Sequence, residues 1–146
     1  MKLEKGITVA GEAYAAPAWN VVGHTYRTLL VSEQAFLWHA EIPDGTFVPP
    51  HIHPTQDEWI HVLDGRVDVE FGAEVQTAGP GDMVRMPMGV AHGIFNRSGA
   101  PVTAVFGVAP TRSLFTLFPR LDGVTDPAEL VRISAEHEVN FLPPPS

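Results

Sequence analysis

Turn-forming residues cut most of this chain into short segments, and this pattern constrains its fold more than any other feature. Thirteen glycines and fourteen prolines are spread along the 146 residues, a density that disfavours a helix bundle. Between them, from about Trp19 to Ala109, lie seven short runs rich in β-branched and aromatic residues: HTYRTLLV, AFLWHAEI, EWIHVL, RVDVEF, DMVRMP, AHGIFN and PVTAVFGV. Short strands at regular spacing predict an all-β sandwich or barrel.

The segment after the last predicted strand has a different character. Asp126 is a good N-cap, Pro127 fits the first helical position, and Glu129 stands where a capping box places its acid. These residues predict a helix from Pro127 to about Glu138. The three prolines at 143–145 cannot be helical and predict an extended tail. One face of the helix is expected to pack on the barrel, and it carries Leu130, Ile133 and His137, with Val131 and Ala135 beside them.

Size, charge and composition narrow the classes of function. At 15.8 kDa the chain is expected to form one domain over 1–146, with a barrel core at about 19–110 and a C-terminal extension at about 111–146. A net charge of −8 disfavours nucleic acid and anionic membranes as partners. The absence of cysteine excludes disulfides and thiolate metal sites. Because no secretory signal or membrane span is recognisable, we expect a cytoplasmic location.

Two histidines and a glutamate lie close together in the segment GTFVPPHIHPTQDEWIHVLDG at 45–65. His51 and His53 are two residues apart, so in an extended strand both imidazoles share one face. Glu58 comes five positions after His53, an odd number, so an unbroken strand would place it on the opposite face. We therefore expect residues 54–55 to break the strand, so that Glu58 begins the next strand and returns to the same face.

A third histidine, His92, follows the turn at 87–89 in the segment GDMVRMPMGVAHGIFN. Three imidazoles and one carboxylate suit a divalent transition metal ion such as Mn, Fe, Co, Ni, Cu or Zn, whereas calcium and magnesium require more oxygen ligands. Four protein ligands on a six-coordinate ion leave two positions free for substrate. Such free positions distinguish a catalytic metal from a structural one.

The spacing of glycine, proline and candidate ligands in these two segments is similar to that of a known superfamily. Residues 45–65 have the form G(X)5HXH(X)4E(X)6G, and residues 81–96 have the form G(X)5PXG(X)2H(X)3N. Both resemble the two cupin motifs without departure, and the fifteen residues at 66–80 between them are similar to the shortest spacing in bacterial cupins. The overall layout resembles that of small, single-domain, quercetinase-like bacterial cupins.

This resemblance implies a jelly-roll β-barrel with a short C-terminal helical extension. It also implies one divalent metal ion inside the barrel, bound by His51, His53, Glu58 and His92. Glu58 would be the general base, because a carboxylate beside the metal can accept a substrate hydroxyl proton, and Asn96 would be structural. A quercetinase-like cupin would be a dioxygenase that acts with dioxygen on a small aromatic or enolisable substrate.

Two other functions remain open, since one fold hosts many activities. The same ion could serve an isomerase or lyase of a small sugar or keto acid, although only Arg66, Arg85 and Arg97 are near enough in sequence to clamp an anion. The chain could also be a noncatalytic small-molecule-binding cupin. Apolar residues on both faces of the predicted strands need an outer cover, and small cupins are often homodimers, so we expect a homodimer.

The remaining histidines and aromatic residues have simpler expected roles. By strand alternation His61 faces away from Glu58 and is not expected to be a ligand, whereas Ile60 and Val62 share the face of Glu58 and should line the barrel. Three histidines are expected to be surface or packing residues: His24, His39 and His137. Six aromatic residues could line an aromatic pocket but are expected mainly to fill the core: Trp38, Trp59, Phe47, Phe71, Phe95 and Phe106.

Overall fold

The structure is a computed structural model that describes residues 1–144, so Pro145 of the predicted extended tail lies outside the described residues. These residues form eleven β-strands and two α-helices. In chain order the strands are β1 Trp19–Val21, β2 His24–Val31, β3 Phe36–Ile42, β4 Phe47–Ile52, β5 Asp57–Asp64, β6 Val67–Phe71, β7 Glu74–Ala78, β8 Met83–Met86, β9 His92–Phe95, β10 Val102–Ala109 and β11 Asn140–Phe141. The helices, between β10 and β11, are α1 Leu114–Leu121 and α2 Pro127–Ala135.

The strands form two antiparallel sheets. One has the order β1-β2-β3-β10-β5-β8, and the other has the order β11-β4-β9-β6-β7. The seven predicted strands correspond to β2, β3, β5, β6, β8, β9 and β10. The prediction of a jelly-roll β-barrel with a C-terminal helical extension is therefore confirmed. Strands β1, β7 and β11 were not predicted, whereas β4 corresponds to the strand expected at His51, although it ends at Ile52, just before His53.

Much of the barrel core comes from residues that alternate inward along the first sheet, and the second sheet and both helices supply the rest. Ile60 and Val62 are fully buried, as their shared parity with Glu58 predicted. Trp38 and Phe106 lie opposite each other in β3 and β10, and their rings stack at 5.4 Å between centroids. Aromatic side chains of this size supply much of the apolar area that a small barrel can bury.

The outer face of the same sheet is covered in part by its own side chains. Trp59 is half-buried because it lies over Gly107, its cross-strand partner in β10. A Cβ at Gly107 would lie 2.4 Å from the Trp59 ring, so only glycine permits this contact. Leu63, farther along β5, remains 44% exposed.

Helix α1 was not predicted. Its apolar residues recur at helical spacing, and the buried ones form one stripe toward the barrel: Leu114, Leu117, Phe118 and Leu121. This stripe meets the aromatic core, because the Phe118 ring lies 5.0 Å from Trp38 and from Tyr26 between centroids. The helical extension is thus two helices rather than one.

Helix α2 begins where the sequence predicted and ends earlier. Asp126 is the N-cap and accepts a hydrogen bond from the Ala128 backbone N–H at 3.2 Å. The helix ends at Ala135, so the predicted end at Glu138 was three residues too long. Its buried residues are Leu130, Ile133 and Ser134, whereas Val131 and Ala135 are exposed. Neither helix, within the described residues, is long and apolar enough to cross a membrane.

Candidate metal centre

The four predicted ligands come from three strands that meet inside the barrel. His51 is in β4, Glu58 is the second residue of β5, and His92 is the first residue of β9. His51 and His92 are direct cross-strand partners. His53 follows the end of β4, and all four side chains are at most 5% exposed.

Proline shapes the backbone that presents these residues. Pro49 and Pro50 lack the N–H groups of a regular ladder, and the pairing of β4 with β9 shifts register between Val48 and His51. The turn at 54–55 then interrupts the chain before β5. This is the predicted break, and it returns Glu58 to the same face as the histidines.

The ligand atoms of the four residues converge on one point. One nitrogen or oxygen of each lies within 4.8 Å of those of the others. The Glu58 Oε1 atom is 2.8 Å from His92 Nε2 and 3.5 Å from His53 Nε2. The rings of His51 and His92 are 4.5 Å apart between centroids. A group of this composition could hold one divalent transition metal ion.

Hydrogen bonds to the other ring nitrogen fix the orientation of each imidazole. His51 Nδ1 lies 2.8 Å from the Pro49 carbonyl oxygen, and His92 Nδ1 lies 3.2 Å from the Val90 carbonyl oxygen. A carbonyl oxygen only accepts, so in both residues Nδ1 carries the proton and donates it. The lone pair of a neutral imidazole is then on Nε2, the nitrogen that faces Glu58.

Gln56 orients the third imidazole, and the sequence analysis missed this role. Its amide nitrogen donates to the carbonyl oxygens of Pro110, at 3.1 Å, and Thr111, at 2.7 Å. Its Oε1 is therefore left to accept from His53 Nδ1 at 2.8 Å. Gln56 is 3% exposed. The signal available in the sequence was a polar residue three positions after His53, within the turn that separates two candidate ligands.

The electrostatics favour the protonation states that metal ligands require. Burial, together with the charges of His92 and His53, lowers the pKa of His51 to about 3. Burial alone would raise the pKa of Glu58, but His53, the hydrogen bond with His92 and the charge of His51 lower it to about 2. At neutral pH His51 is thus neutral and Glu58 is ionised, the forms that bind a metal ion.

A cavity of about 50 Å³ adjoins three of the four candidate ligands. His51, His53 and Glu58 line one part of it, and the rest is mainly apolar. The apolar lining comes from both sheets and both helices, and it includes Trp38, Val48, Ile94, Phe106, Leu117 and Phe118. Trp38 and Phe106 are thus both core and cavity residues. Both helices contribute to the wall of the cavity, and the part formed by α1 was not predicted from the sequence.

The structure also places the other residues considered above. His61 is half-buried and outside the cluster, as strand alternation predicted. His24 is fully buried in packing, with Nδ1 3.1 Å from the Tyr26 hydroxyl. His137 Nδ1 donates to the Ile133 carbonyl at 2.9 Å. Asn96 has a structural position, because its amide donates to the carbonyls of Ile42 and Ala100 in a neighbouring strand end and turn.

Replacing Gln56 by alanine is expected to weaken metal binding about 10- to 100-fold, because His53 would lose the acceptor that fixes its ring. Competition with a chromophoric chelator measures this affinity. Gln76→Ala is the matched control, since Gln76 is exposed in β7 and bonds only Glu74 within the described residues. Equal affinity of the Gln56→Ala and wild-type proteins would contradict the positioning role.

Comparison with known proteins is in keeping with this architecture. Residues 38–108 match the Cupin domain family. The tetracenomycin polyketide synthase protein TcmJ of Streptomyces glaucescens is 28% identical over 99 residues, which cover 65% of this chain and 66% of that protein. The putative germin-like protein 9-2 of Oryza sativa subsp. japonica is 33% identical over 100 residues, 64% of this chain and 42% of that protein. The chain therefore spans less than two thirds of the length of these curated relatives.

Solved structures share the fold. The protein TT1209 from Thermus thermophilus is 26% identical with a TM-score of 0.56, over 60% of this chain and 83% of that one. An RmlC-like cupin from Shewanella frigidimarina has a TM-score of 0.67 at 16% identity, over 79% of this chain and 99% of that one. At that identity the likeness shows the fold alone.

Proposed function

Since this chain belongs to the cupin superfamily, we propose that it is a mononuclear metalloenzyme and a dioxygenase. The ion would be a divalent transition metal bound by His51, His53, Glu58 and His92. The substrate would be a small aromatic or enolisable compound. This proposal goes beyond the family assignment and depends on the donor set and on the cavity beside it.

The observation that carries the proposal is the arrangement of proton donors and lone pairs around Glu58. Two imidazoles donate Nδ1–H to backbone carbonyls and the third donates to Gln56. When the imidazoles are neutral, three Nε2 lone pairs and a carboxylate therefore face one another in a buried space. Without a cation, the 2.8 Å contact between His92 Nε2 and Glu58 requires a proton between the two atoms. Lone pairs and a negative charge in such proximity are stabilised when a cation lies between them.

Each part of the site has a role in the proposed reaction. When bound, the ion would supply Lewis-acid stabilisation of a substrate oxyanion and redox chemistry toward dioxygen. Glu58, ionised at neutral pH, would accept the proton of the substrate hydroxyl. The apolar wall formed by Trp38, Phe106 and α1 would exclude water and orient an apolar substrate skeleton.

The size and charge of the cavity narrow the substrate class. No lysine or arginine of residues 1–144 lines it, so a phosphate or a second carboxylate would be buried without a counter-charge. About 50 Å³ accommodates roughly four water-sized groups, which favours a substrate smaller than a flavonol. The name of the relative TcmJ, a polyketide synthase protein, supports enolisable carbonyl compounds, because polyketide chains carry repeated carbonyl groups.

His92→Ala is expected to lower metal affinity by more than about 100-fold. Loss of a residue that only hydrogen-bonds to a ligand costs up to about 100-fold, and loss of a ligand itself should cost more. Elemental analysis of protein grown with several transition metals measures the retained ion. His39→Ala is the matched control, because His39 is half-buried in β3 and outside the cluster. Metal retention by His92→Ala equal to wild type would contradict the proposed centre.

Oxygen uptake by the metal-loaded protein tests the reaction. Dioxygen consumption in proportion to the loss of a small hydroxy-ketone, phenol or diketone is expected. Metal binding with turnover but without oxygen uptake would contradict the dioxygenase and favour an isomerase or lyase. Metal binding with no turnover of any compound would favour a noncatalytic binding cupin.

A further inference from the structure

We propose that the cavity has a second polar subsite, formed by Trp38 and Ser134, that hydrogen-bonds an uncharged oxygen of the substrate. This inference rests on the proposed function, since the substrate's other oxygens would bind at the metal. It assigns a substrate class: a small, mainly apolar molecule with a chelating oxygen pair and a separate hydroxyl or carbonyl group.

Trp38 supplies a hydrogen-bond donor that no protein group satisfies. Its indole Nε1 is buried, and none of the described residues lies within hydrogen-bond distance of it. The ring is held firmly, because it stacks on Phe106 at 5.4 Å and contacts Phe36 at 4.7 Å and Phe118 at 5.0 Å between centroids. A buried indole N–H normally has an acceptor, and Trp38 lines the cavity.

Ser134, in α2, supplies a second such group in the lining of the same cavity. It is fully buried in α2, and its hydroxyl also lacks a partner among the described residues. Its backbone is fixed, because the Ser134 carbonyl accepts from the N–H groups of His137 and Val139. A hydroxyl buried in an otherwise apolar helix face costs stability unless it bonds to something. Ser134 lines the same cavity as His51, His53 and Glu58.

The charges around the cavity define what the subsite can accept. Trp38 only donates, so the substrate group must be an acceptor. Glu58 is the one carboxylate among the described lining residues, and none of these residues is a lysine or arginine that could balance an anion bound away from the metal. A hydroxyl or carbonyl oxygen therefore fits, whereas a carboxylate or phosphate does not.

A matched pair of small chelators tests the subsite in the zinc-loaded protein. Glycolohydroxamic acid and propionohydroxamic acid have the same size and the same metal-binding group, and they differ in a hydroxyl against a methyl at the far end. A second pair has one more carbon between the hydroxamate and the terminal hydroxyl or methyl group, and it tests a longer distance from the metal to the subsite. Calorimetry should show that the hydroxylated member of one pair binds roughly three- to tenfold more tightly than its alkyl partner.

Ser134→Ala should reduce this preference, because only the Trp38 N–H would remain to bond the ligand hydroxyl. Its melting temperature should be equal to or higher than that of wild type, because the substitution removes an unpaired buried hydroxyl; a purely structural serine would lower it. The indole N–H resonance of Trp38, assigned with Trp38→Phe, should shift downfield only with the hydroxylated ligand. Equal binding within both pairs would overturn the subsite alone, whereas no binding of any hydroxamate would contradict the metal centre itself.

Discussion

Turnover by the metal-loaded protein is expected to fall roughly 10²- to 10⁴-fold when Glu58 is replaced by glutamine. Glutamine keeps the length of the side chain and one oxygen, but it cannot accept a proton from a substrate hydroxyl. The native carboxylate is available as an acceptor because the surrounding imidazoles hold its pKa near 2 against the opposing effect of burial. Oxygen uptake per bound metal ion measures the change.

Glu41→Gln is the matched control, because it makes the same chemical change and should leave turnover unchanged. Glu41 lies in β3 of the same sheet, but its carboxylate is exposed and pairs with Arg27 at 3.2 Å. Metal content must be measured in parallel, because Glu58 is proposed as both ligand and base. If turnover per bound ion in Glu58→Gln equals that of wild type, Glu58 is not the base, and its role is restricted to metal binding.

The sequence predicted that the four candidate ligands lie close together, because the relevant information is local. The two-residue spacing puts His51, in β4, and His53, just after it, on the same side of the chain. The turn at 54–55 then brings Glu58 back to them. His92 is remote in sequence, but the turn before it fixes where β9 begins. The convergence of these residues in the structure therefore depends on features that short sequence segments contain.

The cavity wall could not be predicted in the same way. Helix α1 has no side-chain N-cap hydrogen bond and contains Pro119, so the helical spacing of its apolar residues was the main local signal, and capping and propensity did not support it. Its stability comes from packing Leu117 and Phe118 against the barrel, a tertiary contact that overrides local preference. The role of Gln56 was missed for a related reason, because its carbonyl acceptors at Pro110 and Thr111 are more than fifty residues away.

Phe118→Ala is expected to lower the free energy of unfolding by about 3–5 kcal/mol. The Phe118 ring is 6% exposed and contacts the rings of Trp19, Tyr26, Phe36 and Trp38 at 5.0–6.0 Å between centroids. Alanine would leave a cavity beneath α1 that these large rings cannot fill. Urea denaturation followed by tryptophan fluorescence measures the loss, which is a large fraction of the stability of a typical domain.

Two controls separate packing from other effects of the change. Phe118→Leu retains much of the volume and should cost less than about 1.5 kcal/mol, and Val131→Ala, at a side chain 42% exposed in α2, should change stability by less than about 0.5 kcal/mol. Metal affinity of folded Phe118→Ala should stay close to wild type, because all four candidate ligands belong to the strands and turns of the barrel. A Phe118→Ala protein as stable as wild type would show that α1 is not anchored by this ring. A loss of metal affinity in the folded variant would show instead that the helical wall helps to hold the ligands in place.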